Sequence, residues 1–273
     1  MSRRRDRPRA AIAVLMLFMV VMAFMAFVSM PATAPHAAAH APPIAPATAQ
    51  VVLVVMPGWD ATRGTLSAFE RDASGAWRQR GMSHPVMIGR NGCAWGSGLH
   101  PQPADGPRKR EGDGRSPAGV FKIGPAFGAA AACDTGLDYR PMTGADWCID
   151  VPDSPHYNRF VNVGDVGAVA VAGSTEPMRR DLHGGDDAYA LGFVIGHNAA
   201  CERGAGSCIF AHLVGTPPVP TAGCTAMTRD QLQTLLRWLR QDAEPRFVLL
   251  PAAVAAEVAA AWGLPQPSEG DRP

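Results

Sequence analysis

The feature that most constrains this chain is a series of short apolar segments, each bounded by glycine or proline, between residues 51 and 251. Segments of this length, whether apolar throughout or alternating, are typical of β-strands, whereas helices need longer periodic runs. Glycine (29) and proline (25) are abundant, and both favour turns over helix interiors. The sequence therefore predicts a mainly β domain with a few helices, and it excludes a helical bundle or a long coiled coil.

Several segments predict individual strands. "VVLVVMPGW" predicts a buried strand that ends at Pro57, and "TLSAFERDASGAWRQ" predicts a β-hairpin that turns at Ser74 and Gly75. "HPVMIGRNG" and "AGVFKIG" predict two further short strands. "LGFVIGHN" and "SCIFAHL" predict a central pair, each apolar until a histidine at its end, His197 and His212. Because a short loop joins this pair, the two histidines are expected to lie near each other.

A helix is predicted a few residues after Cys224. Thr228 and Gln231 match a capping box, and leucines follow from Leu232 at the spacing of one helix face. "RFVLLP" after the helix predicts a last strand. Residues 252–273 predict a short C-terminal helix and a disordered polar tail.

The N-terminus predicts export. "MSRRRDRPR" is basic, and an uncharged apolar run from Ala10 to Met30 follows it. Small-residue A-x-A sites in the Pro/Ala-rich linker, 31–50, favour a cleaved signal peptide, but a run of about 20 apolar residues is also long enough to be a membrane anchor. Residues 1–30 are therefore a signal peptide or an anchor. The predicted location is the periplasm or cell envelope, with membrane contact only through this segment.

The composition of the remaining chain is that of an ordinary globular protein. The formal net charge is +1, with 47% hydrophobic and 18% charged residues, so nothing in the charge balance indicates a nucleic-acid partner. Residues 51–251 keep the same alternation of apolar and polar segments throughout. Their length suits one domain with a sizeable core.

Disulfides are the first role to consider for the six cysteines, which are Cys93, Cys133, Cys148, Cys201, Cys208 and Cys224. Disulfides persist in an oxidising compartment, and an even number of cysteines permits several pairings. The spacing favours a bridge from Cys201 to Cys208 across a short loop, and one from Cys133 to Cys148. The cysteines and histidines here lack the close Cys-x2–4-Cys pair typical of structural zinc, so no metal is predicted.

Cys224 stands in a different setting from the other five cysteines. A cysteine becomes a nucleophile when a helix N-terminus lowers its pKa or an imidazole takes its proton. Gly223 lets the backbone turn tightly, and the predicted helix after Cys224 is expected to direct its positive end at the thiolate. His212 is the natural base, because the segment "GTPPVPTAG" can reverse the chain between the two residues. Amides of Gly223 and Cys224 are then suited to hold a developing oxyanion.

At these residues the chain resembles the L,D-transpeptidase catalytic domain, the YkuD-like family, in which a histidine precedes a Ser/Thr-x-Gly-Cys signature. "TAGCT", from Thr221 to Thr225, matches the signature, and His212 in "IFAHL" matches the histidine. "EGDGRSPAGVFKIG" resembles the family's upstream segment, in which a turn carrying Thr/Ser-Pro-x-Gly leads into a core strand. "CIDVPDSPHYNRFV" and "GFVIGHN" resemble segments of a Gram-negative branch. Ala222 stands where the common form of the signature carries a second histidine.

The resemblance implies a YkuD-like β-sandwich or barrel with a helix after the catalytic cysteine. It implies that Cys224 is the nucleophile and His212 its general base, with the imidazole oriented by a backbone carbonyl rather than by a carboxylate. It also implies an oxyanion hole made by the amides of Gly223 and Cys224. Three further residues are candidates for lining the cleft: Thr221, His197 and Asn198.

The chemistry that the resemblance implies is attack on a peptide carbonyl of the peptidoglycan stem, through a thioacyl-enzyme. An amine of another stem, or of a lipoprotein lysine, would resolve the intermediate, and no metal or organic cofactor is needed. Two alternatives stay open from the sequence. The same site would serve an L,D-carboxypeptidase or other hydrolase, and a non-catalytic wall-binding module would instead hold Cys224 in a disulfide.

Overall fold

Strands make up most of the regular structure in the computed structural model, which describes residues 42–103 and 105–266. In chain order they are β1 (Gln50–Met56), β2 (Arg63–Arg71), β3 (Trp77–Met87), β4 (Cys93–Trp95), β5 (Ser116–Gly128), β6 (Tyr139–Pro141), β7 (Asp146–Cys148), β8 (Phe160–Asn162), β9 (Glu176–Pro177), β10 (Leu191–Ile195), β11 (Phe210–Leu213), β12 (Thr225–Met227) and β13 (Arg246–Pro251). The prediction of a mainly β domain is confirmed.

Eight strands close into a barrel. Its order is β1, β2, β3, β12, β11, β10, β5, β13 and back to β1. The pairs β1–β13 and β11–β12 are parallel, and the other neighbours in the barrel are antiparallel. The short strands β4 and β6 pair with β5 outside this path, and β8, β7 and β9 form a separate three-stranded sheet.

The barrel closes around aliphatic and aromatic side chains. Every residue of β1 is buried, as the continuous apolar run in the sequence predicts. Leu53, Phe121 and Phe247 come from three different strands, and each is at most 2% exposed. Burying a side chain of this size contributes about 1.5–3 kcal/mol, so the core stabilises the ring of strands that the site is built on.

The predicted hairpin is confirmed by the pairing of β2 with β3. The strand that was expected to begin separately at His84 is instead the second half of β3, which continues to Met87. The ladder shifts register between Leu66 and Ala68, opposite Gly81 with its φ of 68°. A β-bulge breaks the alternation of side chains without ending the strand, so the sequence pattern shows an interruption where the backbone has none.

Helices are few in the described residues: α1 (Val163–Val166), α2 (Arg229–Trp238) and α3 (Ala252–Trp262). The capping box of α2 is confirmed, because Gln231 Oε1 accepts a hydrogen bond from the Thr228 amide at 3.0 Å while the Thr228 hydroxyl caps the Gln231 amide. The leucine face of α2 is buried. The predicted last strand and C-terminal helix are present as β13 and α3.

A smaller apolar cluster joins the three-stranded sheet to the barrel. It includes Cys148 of β7, Met178 just after β9, Phe127 of β5 and Phe210 of β11. Four 3-10 turns lie outside the strands: Ala168–Val171, Arg180–His183, Ala188–Ala190 and Gln241–Ala243. The second and third of these follow β9 and bring polar side chains to the candidate site.

Residues 42–49, within the predicted linker, pack against the domain, where Ile44 is 2% exposed and its amide donates to Trp262 O at 3.3 Å. No helix within 42–103 and 105–266 is long and apolar enough to cross a membrane. The predicted signal peptide or anchor, 1–30, the first part of the linker and the polar tail beyond Gln266 lie outside the described residues.

Candidate active site

Cys224 and His212 line the same cavity, which has a volume of about 240 Å³. His212 lies in β11 beside Ala226 of β12, because the two strands run parallel. Cys224 is the residue immediately before β12. The parallel pairing therefore brings together two residues that the loop "GTPPVPTAG" separates in sequence. Strand β9 and the turns after it supply another part of the lining, including Glu176, Arg180 and Tyr189.

The Cys224 thiol is buried and held by backbone groups at the start of β11. Its S–H donates to Cys208 O at 3.5 Å, and its Sγ accepts a hydrogen bond from the Phe210 amide at 3.3 Å. Burial raises the pKa of Cys224 to about 12, the negative charge of Glu176 adds to this effect, and the Phe210 amide opposes it. The resting side chain at neutral pH is therefore a thiol rather than a thiolate.

The His212 imidazole is fixed through one of its two nitrogens. Nδ1 donates to the backbone oxygen of Leu213 at 2.8 Å. A backbone carbonyl thus orients the ring, as expected. Nε2 makes no hydrogen bond with any described residue. Burial lowers the pKa of His212 to about 4. At neutral pH the ring is therefore neutral, and the free lone pair on Nε2 can accept a proton.

Two hydroxyl groups hold the backbone of Cys224. Ser116 Oγ donates to Cys224 O at 3.0 Å and accepts from the Gly89 amide at 2.9 Å. Thr221 Oγ1 donates to the same carbonyl at 2.7 Å. Thr221 lines the cavity as predicted. Ser116 is not among the site residues predicted from the sequence. It lies in "GRSPAG", within the upstream segment that resembles the family, and that segment is the signal by which it could be found.

The Gly223 amide already has an acceptor, because it donates to Thr221 Oγ1 at 3.1 Å. An oxyanion would have to replace this hydroxyl oxygen, so the oxyanion role of Gly223 and Cys224 stays a prediction. Glycine is needed at position 223 because a side chain would not fit there, not because the backbone makes a tight turn. A Cβ at position 223 would lie 3.1 Å from Arg115 O and 3.3 Å from Ile209 Cδ1, which is closer than a side-chain carbon normally packs.

The expected contribution of the helix to the thiol is wrong. Strand β12 separates Cys224 from the first turn of α2, which begins at Arg229. An extended strand of three residues spans about 10 Å, and the influence of a helix end on charge falls off within about one turn. The helix end therefore does not account for an ionised thiol, and the neutral imidazole of His212 is the group in the cavity that could accept its proton.

His197 and Asn198 lie away from this cavity. In the antiparallel β10–β11 pair, His212 is opposite Gly192 at the start of β10, whereas His197 follows the end of β10. The expectation that the two histidines lie close together is therefore wrong. Asn198 is 0% exposed, and its side-chain amide donates to Glu202 O at 2.9 Å and to Gly206 O at 3.0 Å. Both residues shape the loop before β11.

The disulfide is Cys148–Cys208, with a Cα–Cα distance of 5.9 Å. Both pairings expected from the spacing are wrong, because the three-stranded sheet packs β7 against the start of β11, which brings together cysteines 60 residues apart. Cys93, Cys133, Cys201 and Cys224 are free.

Within the described part of the chain, no group of three or more His, Cys, Asp or Glu side chains could hold a metal ion.

Comparison with protein-family profiles, with curated proteins and with solved structures finds no match for this chain.

Proposed function

We propose that this chain is a cysteine-dependent L,D-transpeptidase that acts on peptidoglycan stem peptides through a thioacyl-enzyme. One observation carries the proposal: a cavity of about 240 Å³ is lined by a neutral thiol, Cys224, and by a neutral imidazole, His212, whose Nε2 is free. The match of "TAGCT" and the upstream turn to the YkuD-like signature supports the reaction class. The closed barrel is compatible with the sandwich or barrel that this resemblance implies.

In the first half-reaction, His212 Nε2 takes the proton of the Cys224 thiol as Sγ attacks the peptide carbonyl. A C–S bond forms, and the imidazolium then returns the proton to the departing amine as the C–N bond breaks. The hydrogen bond from Nδ1 to Leu213 O keeps Nε2 as the basic nitrogen and stabilises the transient positive charge. Because burial disfavours that charge, the ring passes the proton on rather than storing it.

In the second half-reaction, an acyl acceptor attacks the thioester and regenerates the thiol. An amine from a second stem peptide or from a lipoprotein lysine would give transfer, and water would give hydrolysis at the same site. Neither half-reaction requires a metal or an organic cofactor. Such a reaction belongs in the periplasm or cell envelope, and the Cys148–Cys208 disulfide supports an oxidising compartment.

The proposal is tested by incubating the purified chain with tetrapeptide muropeptides and separating the products by mass. We expect cross-linked dimers and released D-alanine from the wild type. Cys224→Ser should lose this turnover, because an alcohol is far less ionised than a thiol. Cys201→Ser is the matched control, since Cys201 is also a free cysteine but does not line the cavity. Tripeptides alone would indicate the hydrolase, and full turnover by Cys224→Ser would overturn the proposal.

A further inference from the structure

A carboxylate that the acylation step does not use lies in the wall of the same cavity. Glu176 belongs to β9, which pairs with β7 at Cys148. Its Oε2 accepts a hydrogen bond from the Tyr189 hydroxyl at 2.5 Å. Its Oε1 has no hydrogen-bond partner among the described residues. One carboxylate oxygen is thus held in place while the other is available to a ligand.

Glu176 is coupled to the reacting groups through Tyr189. The Tyr189 ring lies 5.3 Å from the His212 ring, centroid to centroid, in an edge contact. Tyr189 also packs in the apolar cluster that contains Cys224. The charge of Glu176 is one of the causes that raise the pKa of Cys224. A ligand that contacts Oε1 therefore lies in the same small space as an acyl group on Cys224.

The other charges of the cavity neutralise one another. The Arg180 guanidinium forms two hydrogen bonds with Asp186, at 2.8 and 3.1 Å. Asp187 pairs with Arg229 at 3.2 Å. Glu176 forms no ion pair with a described residue. The cavity thus keeps one unpaired carboxylate, which is complementary to a ligand with a single positive charge.

Given the proposed acyl transfer, we propose that Glu176 binds the protonated amine of the acyl acceptor and removes its extra proton. The ammonium gives one proton to Oε1, which leaves a neutral amine and a carboxylic acid. The amine nitrogen attacks the thioester carbon, so that a C–N bond forms and the C–S bond breaks. His212 Nε2 takes the second proton from the nitrogen and returns it to the Cys224 sulfur, and Glu176 releases its proton to solvent.

The surroundings of Glu176 suit this task. Burial raises the pKa of its carboxyl to about 7, the nearby charges of Asp150 and Glu111 act in the same direction, and the Tyr189 hydroxyl and Arg180 oppose them. A group with a pKa near the operating pH accepts protons more effectively than an ordinary carboxylate. Water carries no positive charge and is not attracted to the carboxylate, so Glu176 would favour transfer to cationic amines over hydrolysis by binding the amine.

The test measures how the acyl-enzyme partitions between two nucleophiles and water. The full chain is acylated with a tetrapeptide stem in the presence of Nα-acetyl-lysine amide, which is cationic at pH 7, or hydroxylamine, which is neutral. For Glu176→Gln we expect the ratio of transfer to hydrolysis with the cationic amine to fall by about 10²-fold, and the ratio with hydroxylamine to change less than about twofold. Equal changes with both nucleophiles, or none, would overturn the proposal.

Controls separate this inference from the proposed function. Asp187→Asn removes a charge from the same cavity but one already paired with Arg229, and it should leave the partition unchanged. Glu176→Asp keeps a carboxylate and should restore part of the amine transfer.

The pH dependence is a second measurement. In the wild type the transfer to the cationic amine should increase as the pH rises through about 7, and Glu176→Gln should lack this inflection. If the wild type forms no Cys224 acyl-enzyme, the proposed function fails; if it does and Glu176→Gln partitions normally, only the inference fails.

Discussion

His197 and His212 stand at opposite ends of the β10–β11 pair, and burial lowers the pKa of each imidazole to about 4. They differ in how many ring nitrogens are occupied. His197 Nδ1 accepts from the Ser97 amide at 3.2 Å and Nε2 donates to Ala205 O at 2.9 Å, whereas His212 uses Nδ1 alone. Burial and a low pKa are therefore common to both histidines, and the free nitrogen of His212 in the Cys224 cavity is what distinguishes it as the candidate base.

The largest expected effect of this difference is on turnover. His212→Ala removes the proposed base, and because burial raises the pKa of the Cys224 thiol to about 12, little thiolate would form without a base. We expect kcat to fall by about 10²–10⁴-fold. His197→Ala should retain kcat when the rate is expressed per folded molecule. Release of D-alanine from tetrapeptide stems measures both variants, and an equal loss in both would contradict the distinct roles of His212 and His197.

The second expected effect is on stability, where the loss should be greater for His197→Ala than for His212→Ala. His197→Ala removes two hydrogen bonds and leaves the Ser97 amide and the Ala205 carbonyl without their partner. We expect the free energy of unfolding to fall by about 2–4 kcal/mol. His212→Ala loses one hydrogen bond and should cost about half as much. Urea unfolding measures both values, and a greater loss for His212→Ala would contradict the structural role assigned to His197.

The third prediction tests whether the backbone of Cys224 needs its support. Ser116→Ala leaves the Gly89 amide without its acceptor and removes one of the two hydrogen bonds to Cys224 O. We therefore expect the free energy of unfolding to fall by about 1–3 kcal/mol and kcat to fall as well. Ser67→Ala is the matched control, because Ser67 is 3% exposed and bonds Ser83 on a distant strand pair. It should change stability without changing kcat per folded molecule, and a similar kcat in both variants would argue against the support.

The smallest expected effect is on pH dependence. The folded state keeps His197 and His212 neutral down to a pH of about 4, whereas the unfolded chain binds protons below about 6.5. Stability is therefore unaffected above pH 6.5 and decreases as the pH falls from 6.5 towards 4. Between pH 7 and 5.5 we expect a loss of about 1 kcal/mol per buried histidine. His197→Ala should show a shallower dependence in urea unfolding, and an unchanged slope would contradict its buried neutral state.

The sequence predicts what local patterns determine. The strand β1, the hairpin β2–β3 and the cap of α2 follow from apolar runs, turn residues and Thr228, and each is confirmed. Closure of the barrel depends on the pairings of β5 with β10 and of β1 with β13. These join segments far apart in sequence, and no local pattern encodes them.

The candidate site shows the same limit. Cys224 and His212 were found because a short signature surrounds them. The roles of the two histidines could not be separated, because the partners of His197 come from position 97 and from the loop before β11. Glu176 and Tyr189 stand in a stretch without periodic pattern or signature. Only the packing of the three-stranded sheet on the barrel brings them into the cavity.

The role of Cys224 as nucleophile is tested most directly by the mass of the intact protein after brief exposure to a carbapenem-type acylating agent, followed by peptide mapping. We expect one adduct, on Cys224, that forms in the wild type and far more slowly in His212→Ala. Absence of an adduct in the folded wild type, or an adduct on Cys93, Cys133 or Cys201 instead, would contradict the assignment of Cys224 as the nucleophile.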